Sequence, residues 1–174
     1  GTSIPARAVI DDQTQSDALH LLGQLTADPK LVSDDFITDL REKAALGSPD
    51  EQLDALHRIS VFASLSAEEM ITLADELSKK AQEQANGRYY AIANSLKIFA
   101  YYLDGTGQNT LEQLSRELSA SKDNEDWPAE SFIRQLIGYV AWSQGQREYA
   151  ITNLKEAFGV IPESGDDAAL ARLA

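Results

Sequence analysis

The chain has 174 residues, of which 43% are hydrophobic and 25% charged, and its net charge is −13. A chain of this length can form one compact domain that buries about 70% of its unfolded surface. The negative charge repels phosphate backbones and anionic headgroups, so nucleic-acid and membrane-surface partners are disfavoured. The sequence contains no cysteine, which excludes disulfides, thiolate zinc sites and thiol nucleophiles. The absence of cysteine is compatible with either the cytoplasm or the periplasm.

The start of the sequence differs from the rest in composition. Residues 1–13 are mixed and polar and predict an extended lead-in, whereas residues 14–174 predict a single helical domain. The opening Gly1-Thr2-Ser3 is typical of residues left by cloning. We therefore expect the chain to be part of a longer protein. Its apolar runs fall well short of the ~20 residues that a membrane span needs.

Apolar residues recur at helical spacing in nine segments, and this pattern predicts an all-α fold. A first helix runs from Gln15 to Asp28-Pro29. A second begins near Ser33 and ends at Gly47. Ser48 and Ser66 each stand three residues before a glutamate, which predicts two further helices that begin with capping boxes.

The remaining helices are predicted from their first and last residues. Asn86-Gly87 is expected to end the fourth helix in a left-handed conformation, and Asn109 is expected to cap the sixth with its side chain. Pro128 suits a first helical turn, Gly145 suits a turn between helices, and Ser164 with Asp167 predicts a cap of a ninth segment.

These helices group into pairs that begin near Gln15, Ser48, Gly87 and Pro128, followed by a terminal helix from Ser164. The interval between pairs is roughly 33 to 41 residues by this grouping. Because one helix pair cannot bury its apolar face alone, a recurring pair predicts a stacked solenoid of about four hairpins. A non-repeating helical bundle is the alternative.

The stretch from Ser131 to Pro162 resembles a tetratricopeptide repeat. The matching residues are Gly138 in its first helix, Gly145 at the turn, Ala150 and Ala157 in its second helix, and the closing proline Pro162, with Ile137 and Leu154 at large apolar positions. Arg134 and Ala141 depart from the family pattern. The resemblance implies a right-handed helical solenoid in which the second helix ends at Pro162.

If the chain forms such repeats, the first helix of each hairpin lines a concave face. We then expect five side chains to project towards it: Lys97, Tyr101, Gln135, Tyr139 and Trp142. Tyrosine and tryptophan combine apolar area with a polar group and suit a peptide or small-ligand groove. The alternative is that Tyr139 and Trp142 pack internally, near Leu170.

Catalytic and metal-binding patterns are weak in this sequence. Asp34, Asp35 and Asp39 could hold a magnesium ion, but acids in a first helical turn are also expected from the helix dipole. His20 and His57 have no second ligand at metal spacing. We predict no catalytic residue, no bound metal and no cofactor, and a metal-dependent enzyme using the three aspartates is the minor alternative.

The sequence therefore predicts a non-catalytic module that binds a protein, a peptide or a small ligand on its concave face. Helical solenoids offer extended binding surfaces, which favours this reading. A regulatory or sensor domain of a larger bacterial signalling protein, with a kinase or nucleotide-cyclase output, is the alternative. The sequence does not indicate an oligomeric state.

Overall fold

The structure is a computed structural model that describes the backbone of residues 33–164 and the side chains of residues 33–157. This part of the chain is all-helical, as predicted, and contains seven helices and no strand. In chain order they are α1 (Asp34–Leu46), α2 (Pro49–Phe62), α3 (Ala67–Glu83), α4 (Gly87–Leu103), α5 (Thr110–Asp123), α6 (Trp127–Ser143) and α7 (Arg147–Ser164). The predicted lead-in, the helix from Gln15 and the segment from Ser164 lie outside the fully described residues.

The first three helices begin where the sequence predicts, because serine side chains satisfy their free backbone N–H groups. Ser33 accepts a hydrogen bond from the N–H group three residues on. Ser48 and Ser66 do the same in complete capping boxes with Glu51 and Glu69. Hydrogen bonds from the serine backbone lower the pKa of both glutamates. Their contribution to stability is therefore present at neutral pH and lost as the pH falls through the lowered values.

Four helices, α3 to α6, end in turns of the same type. Each turn has one left-handed residue, and these residues are 20 positions apart, at Ala85, Gly105, Glu125 and Gly145. In each turn the next N–H donates to a carbonyl five residues back, and the left-handed residue's own N–H donates to one three residues back. These bonds form a Schellman motif, which satisfies the last carbonyl groups of the helix.

Three details of the predicted helix ends were wrong. Ala85, and not Asn86-Gly87, is left-handed after α3, because Asn86 uses its side chain to cap α4. Asn109 precedes α5 without a side-chain cap, since its own left-handed backbone replaces the extended conformation that such a cap uses. Helix α7 continues to Ser164, so Pro162 lies inside it; proline removes a hydrogen bond, but its fixed φ is helical.

The structure divides into two compact units, which meet in sequence between Gln108 and Asn109. In the first, α1 packs on α2, α3 packs on α4, and α2 makes smaller contacts with α3 and α4. Its core contains the fully buried residues Leu53, Ile59, Leu77, Ile92 and Leu96. Phe36 and Phe62 pack edge to face, with ring centroids 5.5 Å apart, and hold α1 against α2.

In the second unit α6 packs on both α5 and α7. Its fully buried side chains include Leu114, Ile133, Ile137, Val140 and Leu154. Gly138 lets α7 approach closely, because a Cβ atom there would lie 2.9 Å from the Cγ atom of Leu154. The predicted packing role of Gly138 is confirmed. The predicted solenoid and single domain stay predictions.

The left-handed turns generate a stability prediction. Replacing Ala85 by glycine relieves a Cβ clash that costs about 1–2 kcal/mol, less the greater entropy of glycine in the unfolded chain. We expect Ala85→Gly to raise the free energy of unfolding by about 0.5 kcal/mol, and Gly145→Ala to lower it by about 1 kcal/mol. Urea unfolding followed by circular dichroism measures both. A loss of stability in Ala85→Gly would contradict the assigned turn.

The contact of Gly138 with Leu154 generates a second prediction. Alanine is the better helix former by about 1 kcal/mol, but overpacking typically costs about 1–3 kcal/mol. We expect Gly138→Ala to lower the free energy of unfolding by about 1 kcal/mol, measured by tryptophan fluorescence, since both tryptophans lie in α6. Gly87→Ala, followed by circular dichroism, is the matched control, because no atom lies within 4 Å of a Cβ at that position. Equal effects of the two substitutions would contradict the close approach.

Candidate functional site

The five predicted binding residues belong to two different units. Lys97 and Tyr101 lie on α4, whereas Gln135, Tyr139 and Trp142 lie on α6.

On α6 the predicted residues do not form an open face. Gln135 is only 1% exposed, so the expectation that it projects to the surface is wrong. Helix α6 packs against both α5 and α7, and few positions along it are open. Tyr139 is half-buried. Trp142 is 42% exposed, and the guanidinium carbon of Arg147 lies 5.2 Å from its ring centroid in a cation–π contact.

A polar network is buried along α6. Glu130 Oε2 accepts a hydrogen bond from Arg134 Nε at 2.9 Å, and Arg134 Nη1 donates to Asn153 Oδ1 on α7 at 3.1 Å. Asn153 in turn donates to the backbone carbonyl of Tyr149 at 3.0 Å. The side chains of Glu130 and Arg134 are only 4% and 11% exposed. The network therefore connects two helices in a largely dry environment.

A more open surface runs along α4. Tyr90, Asn94, Lys97 and Tyr101 recur at intervals of four, three and four positions, so they lie on one side of the helix. We call this set the α4 outer face. Tyr90 is 37% exposed and Tyr101 is 39% exposed. The sequence prediction missed Tyr90 and Asn94, although their spacing from Lys97 and Tyr101 could have indicated them.

The positive charge of Lys97 on this face is stabilised by a residue of a neighbouring helix. Lys97 Nζ donates to Asp75 Oδ1 on α3 at 2.7 Å. This hydrogen bond raises the pKa of Lys97 above its ordinary value. Lys97 is therefore charged at neutral pH, and the contribution of its hydrogen bond is lost only as the pH rises through the raised value. The two side chains are 41% and 56% exposed, so solvent screens the pair and its effect on stability is small.

Helices α4 and α6 have the same length, 17 residues, and begin and end in the same way, with counterparts 40 positions apart. Each begins after an N-cap, Asn86 or Asp126, whose side chain accepts a hydrogen bond from the backbone N–H three residues on. Each ends before a left-handed glycine, Gly105 or Gly145. Leu96 and its counterpart Leu136 are both buried. The same positions can therefore be compared on the two helices.

The counterpart of the α4 outer face is covered. It consists of Glu130, Arg134, Ile137 and Ala141 on α6, all of which are buried apart from the mostly buried Arg134. Helix α7 lies on this side, as the hydrogen bond to Asn153 and the contact between Gly138 and Leu154 show. The α4 outer face is less covered: Tyr90 and Tyr101 are exposed, whereas Asn94 and Lys97 are half-buried and Lys97 contacts Asp75 of α3.

The residues considered for metal binding do not come together. Within residues 33–157, no group of three or more histidine, aspartate or glutamate side chains is placed to hold a metal ion. Asp34 and Asp35 lie in the first turn of α1, as the helix dipole favours. His57 is buried, and its ring packs against Tyr89 at 5.9 Å. His20 lies outside the described residues.

No family model, curated protein or solved structure matches the chain. The resemblance to tetratricopeptide repeats therefore stays a prediction. None of the helices in the described part is long and apolar enough to cross a membrane.

The buried network generates a matched comparison. Glu130 and Arg134 form an i,i+4 pair with a 2.9 Å contact, and so do Asp54 and Arg58 in a more exposed setting. We expect Glu130→Gln to lower the free energy of unfolding by about 3 kcal/mol, because it leaves a buried guanidinium without its counter-ion. Asp54→Asn should cost less than about 1 kcal/mol.

Urea unfolding measures this difference, with tryptophan fluorescence for Glu130→Gln and circular dichroism for Asp54→Asn. Similar small losses for both substitutions would show that the network around Arg134 is not structurally important.

Proposed function

We propose that the chain is a non-catalytic helical module that binds a segment of another protein, and that the α4 outer face is its binding surface. The observation that supports this proposal most directly is the exposure of Tyr90 and Tyr101 on one side of a helix. A tyrosine offers a large apolar ring and a hydroxyl group that stays hydrated, which suits a surface that is exposed until a partner binds. Tyrosine is also common among the residues that dominate binding energy.

This proposal changes the set of residues that the sequence assigns to the binding groove. Tyr101 and Lys97 remain in it, whereas the buried Gln135 is removed and Tyr90 and Asn94 are added. Trp142 and Tyr139 are not part of the proposed surface. Recognition there would be non-covalent, through ring burial and polar contacts at Lys97, Asp75 and Asn94. Three points stay predictions from the sequence: that the chain could bind a small ligand, that it could belong to a larger signalling protein, and that it is not an enzyme.

The proposal is tested by replacing Tyr90 or Tyr101, one at a time, with a photoreactive phenylalanine analogue in cells that produce the protein. We expect one discrete cross-linked protein from both positions. The same substitution at Tyr149, which is 40% exposed in the other unit, is the matched control.

A cross-linked protein counts as a partner only if it also binds the purified chain. Tyr101→Ala should then weaken binding about tenfold, which corresponds to about 1.4 kcal/mol. Circular dichroism checks that this variant is folded. Partner affinity that is unchanged in both Tyr90→Ala and Tyr101→Ala would overturn the proposal.

A further inference from the structure

Asn86 and Gly87 form an asparagine–glycine pair at the start of α4, and such a pair is chemically reactive. Of the asparagines in the chain, only Asn86 is followed by glycine. A backbone nitrogen can attack the side-chain amide of the asparagine before it, and glycine permits this best because it has no side chain. Gly87 is exposed, and no atom lies within 4 Å of a Cβ built on it. Neighbouring side chains therefore do not obstruct the attack.

The folded structure holds Asn86 in a conformation that opposes this reaction. Its Oδ1 atom accepts a hydrogen bond from the N–H group of Tyr89 at 3.0 Å. Its own N–H group donates to the carbonyl of Ala81 at 2.8 Å, and its carbonyl accepts from the N–H group of Tyr90 at 3.1 Å. These bonds keep the ψ angle of Asn86 at 97°, in the extended region. The attack closes a ring in which ψ is far from extended, so the bond to Tyr89 must break first.

We propose that Asn86 is a deamidation site that the cap of α4 protects, so that opening of the first helical turn is converted into a permanent chemical change. The Gly87 nitrogen gives up its proton and bonds to Cγ of Asn86, the Cγ–Nδ2 bond breaks, and ammonia leaves with a proton from water. One water molecule then opens the cyclic imide. Breaking the new bond to Cγ gives aspartate, and breaking the original peptide bond gives isoaspartate. The reaction uses no side chain of the α4 outer face, so it is independent of the proposed binding function.

The two products differ in their effect on α4. Aspartate caps a helix as well as asparagine does, and its charge suits the positive end of the helix dipole. In isoaspartate the main chain is longer by one carbon atom, and the carbonyl that accepts from Tyr90 becomes a free carboxylate. Neither the cap nor the first helical hydrogen bond then keeps its geometry. Isoaspartate formation therefore destabilises the start of the helix.

The other end of α4 provides an internal comparison. Asp104-Gly105 follows this helix, and aspartate forms the same cyclic imide by losing water. The N–H group of Gly105, however, donates to the carbonyl of Tyr102 at 3.1 Å. A carboxylate is also a poorer electrophile than an amide. Asn86 should therefore react faster than Asp104.

The experiment incubates the full chain in warm, mildly alkaline buffer, with and without guanidinium chloride, and follows Asn86 by peptide mass spectrometry. Exchange of the amide for a carboxylate raises the mass, and chromatography separates isoaspartate from aspartate. We expect both products in the denatured chain. The rate in the folded chain should be at least tenfold lower, because only its open fraction reacts. Ala91→Gly in α4 should raise the folded-state rate about threefold, and Ala120→Gly in α5 should leave it unchanged.

Gly87→Ala is the control for the chemistry, because a Cβ at that position obstructs the attack. Its denatured chain should react more slowly than the unaltered chain, and equal rates would overturn the imide route. No product at Asn86 in the denatured chain would overturn the site itself. Equal rates in the folded and denatured chain, or an unchanged rate in Ala91→Gly, would overturn protection by the cap.

The effect on α4 is tested on the separated products. The isoaspartate form should unfold at a lower denaturant concentration than the unmodified chain, whereas Asn86→Asp should unfold at about the same concentration as the unmodified chain. Circular dichroism follows both transitions. An isoaspartate form as stable as Asn86→Asp would overturn the proposed loss of the cap.

Discussion

Helix α6 must be covered on two sides, and the second unit is built around that requirement. Apolar residues occur around most of its circumference, so a single neighbouring helix could not bury them. Helix α5 covers one side and α7 the other. Gly138 makes the second contact close, and the hydrogen bond from Arg134 to Asn153 gives it a polar component. The buried charge of Arg134 is tolerated because Glu130 is paired with it.

The regular turns give both units a common local plan. A left-handed residue every 20 positions ends one helix and directs the chain into the next, at Ala85, Gly105, Glu125 and Gly145. Only two of these residues are glycine, so the turn is determined by its hydrogen bonds and not by the residue type alone. The result is a structural repeat that is only weakly visible as a repeating pattern of residues in the sequence. That repeat is what makes a residue on α4 comparable with one on α6.

Local features were the most predictable part of the fold. The caps at Ser33, Ser48 and Ser66 involve atoms three residues apart, so the sequence carries all the necessary information. The burial of Gln135 was not predictable in this way, because it depends on tertiary packing that the sequence of α6 alone does not identify. The left-handed conformation of Ala85 was missed for a related reason. Alanine has no preference for that conformation, and the surrounding hydrogen bonds impose it.

The candidate site was predicted in part, and the difference between the two helices explains why. On α6 the side facing α7 combines Ile137, Gly138 and Ala141, which are small or fully apolar and suit permanent burial. On α4 the counterparts are Lys97, Ile98 and Tyr101, and two of these three carry a polar group that favours hydration. The covered side of α6 also carries a charged pair, Glu130 and Arg134, but that pair is buried, whereas Lys97 and its partner Asp75 stay partly exposed. Exposure, and not polarity alone, therefore separates the α4 outer face from its counterpart on α6.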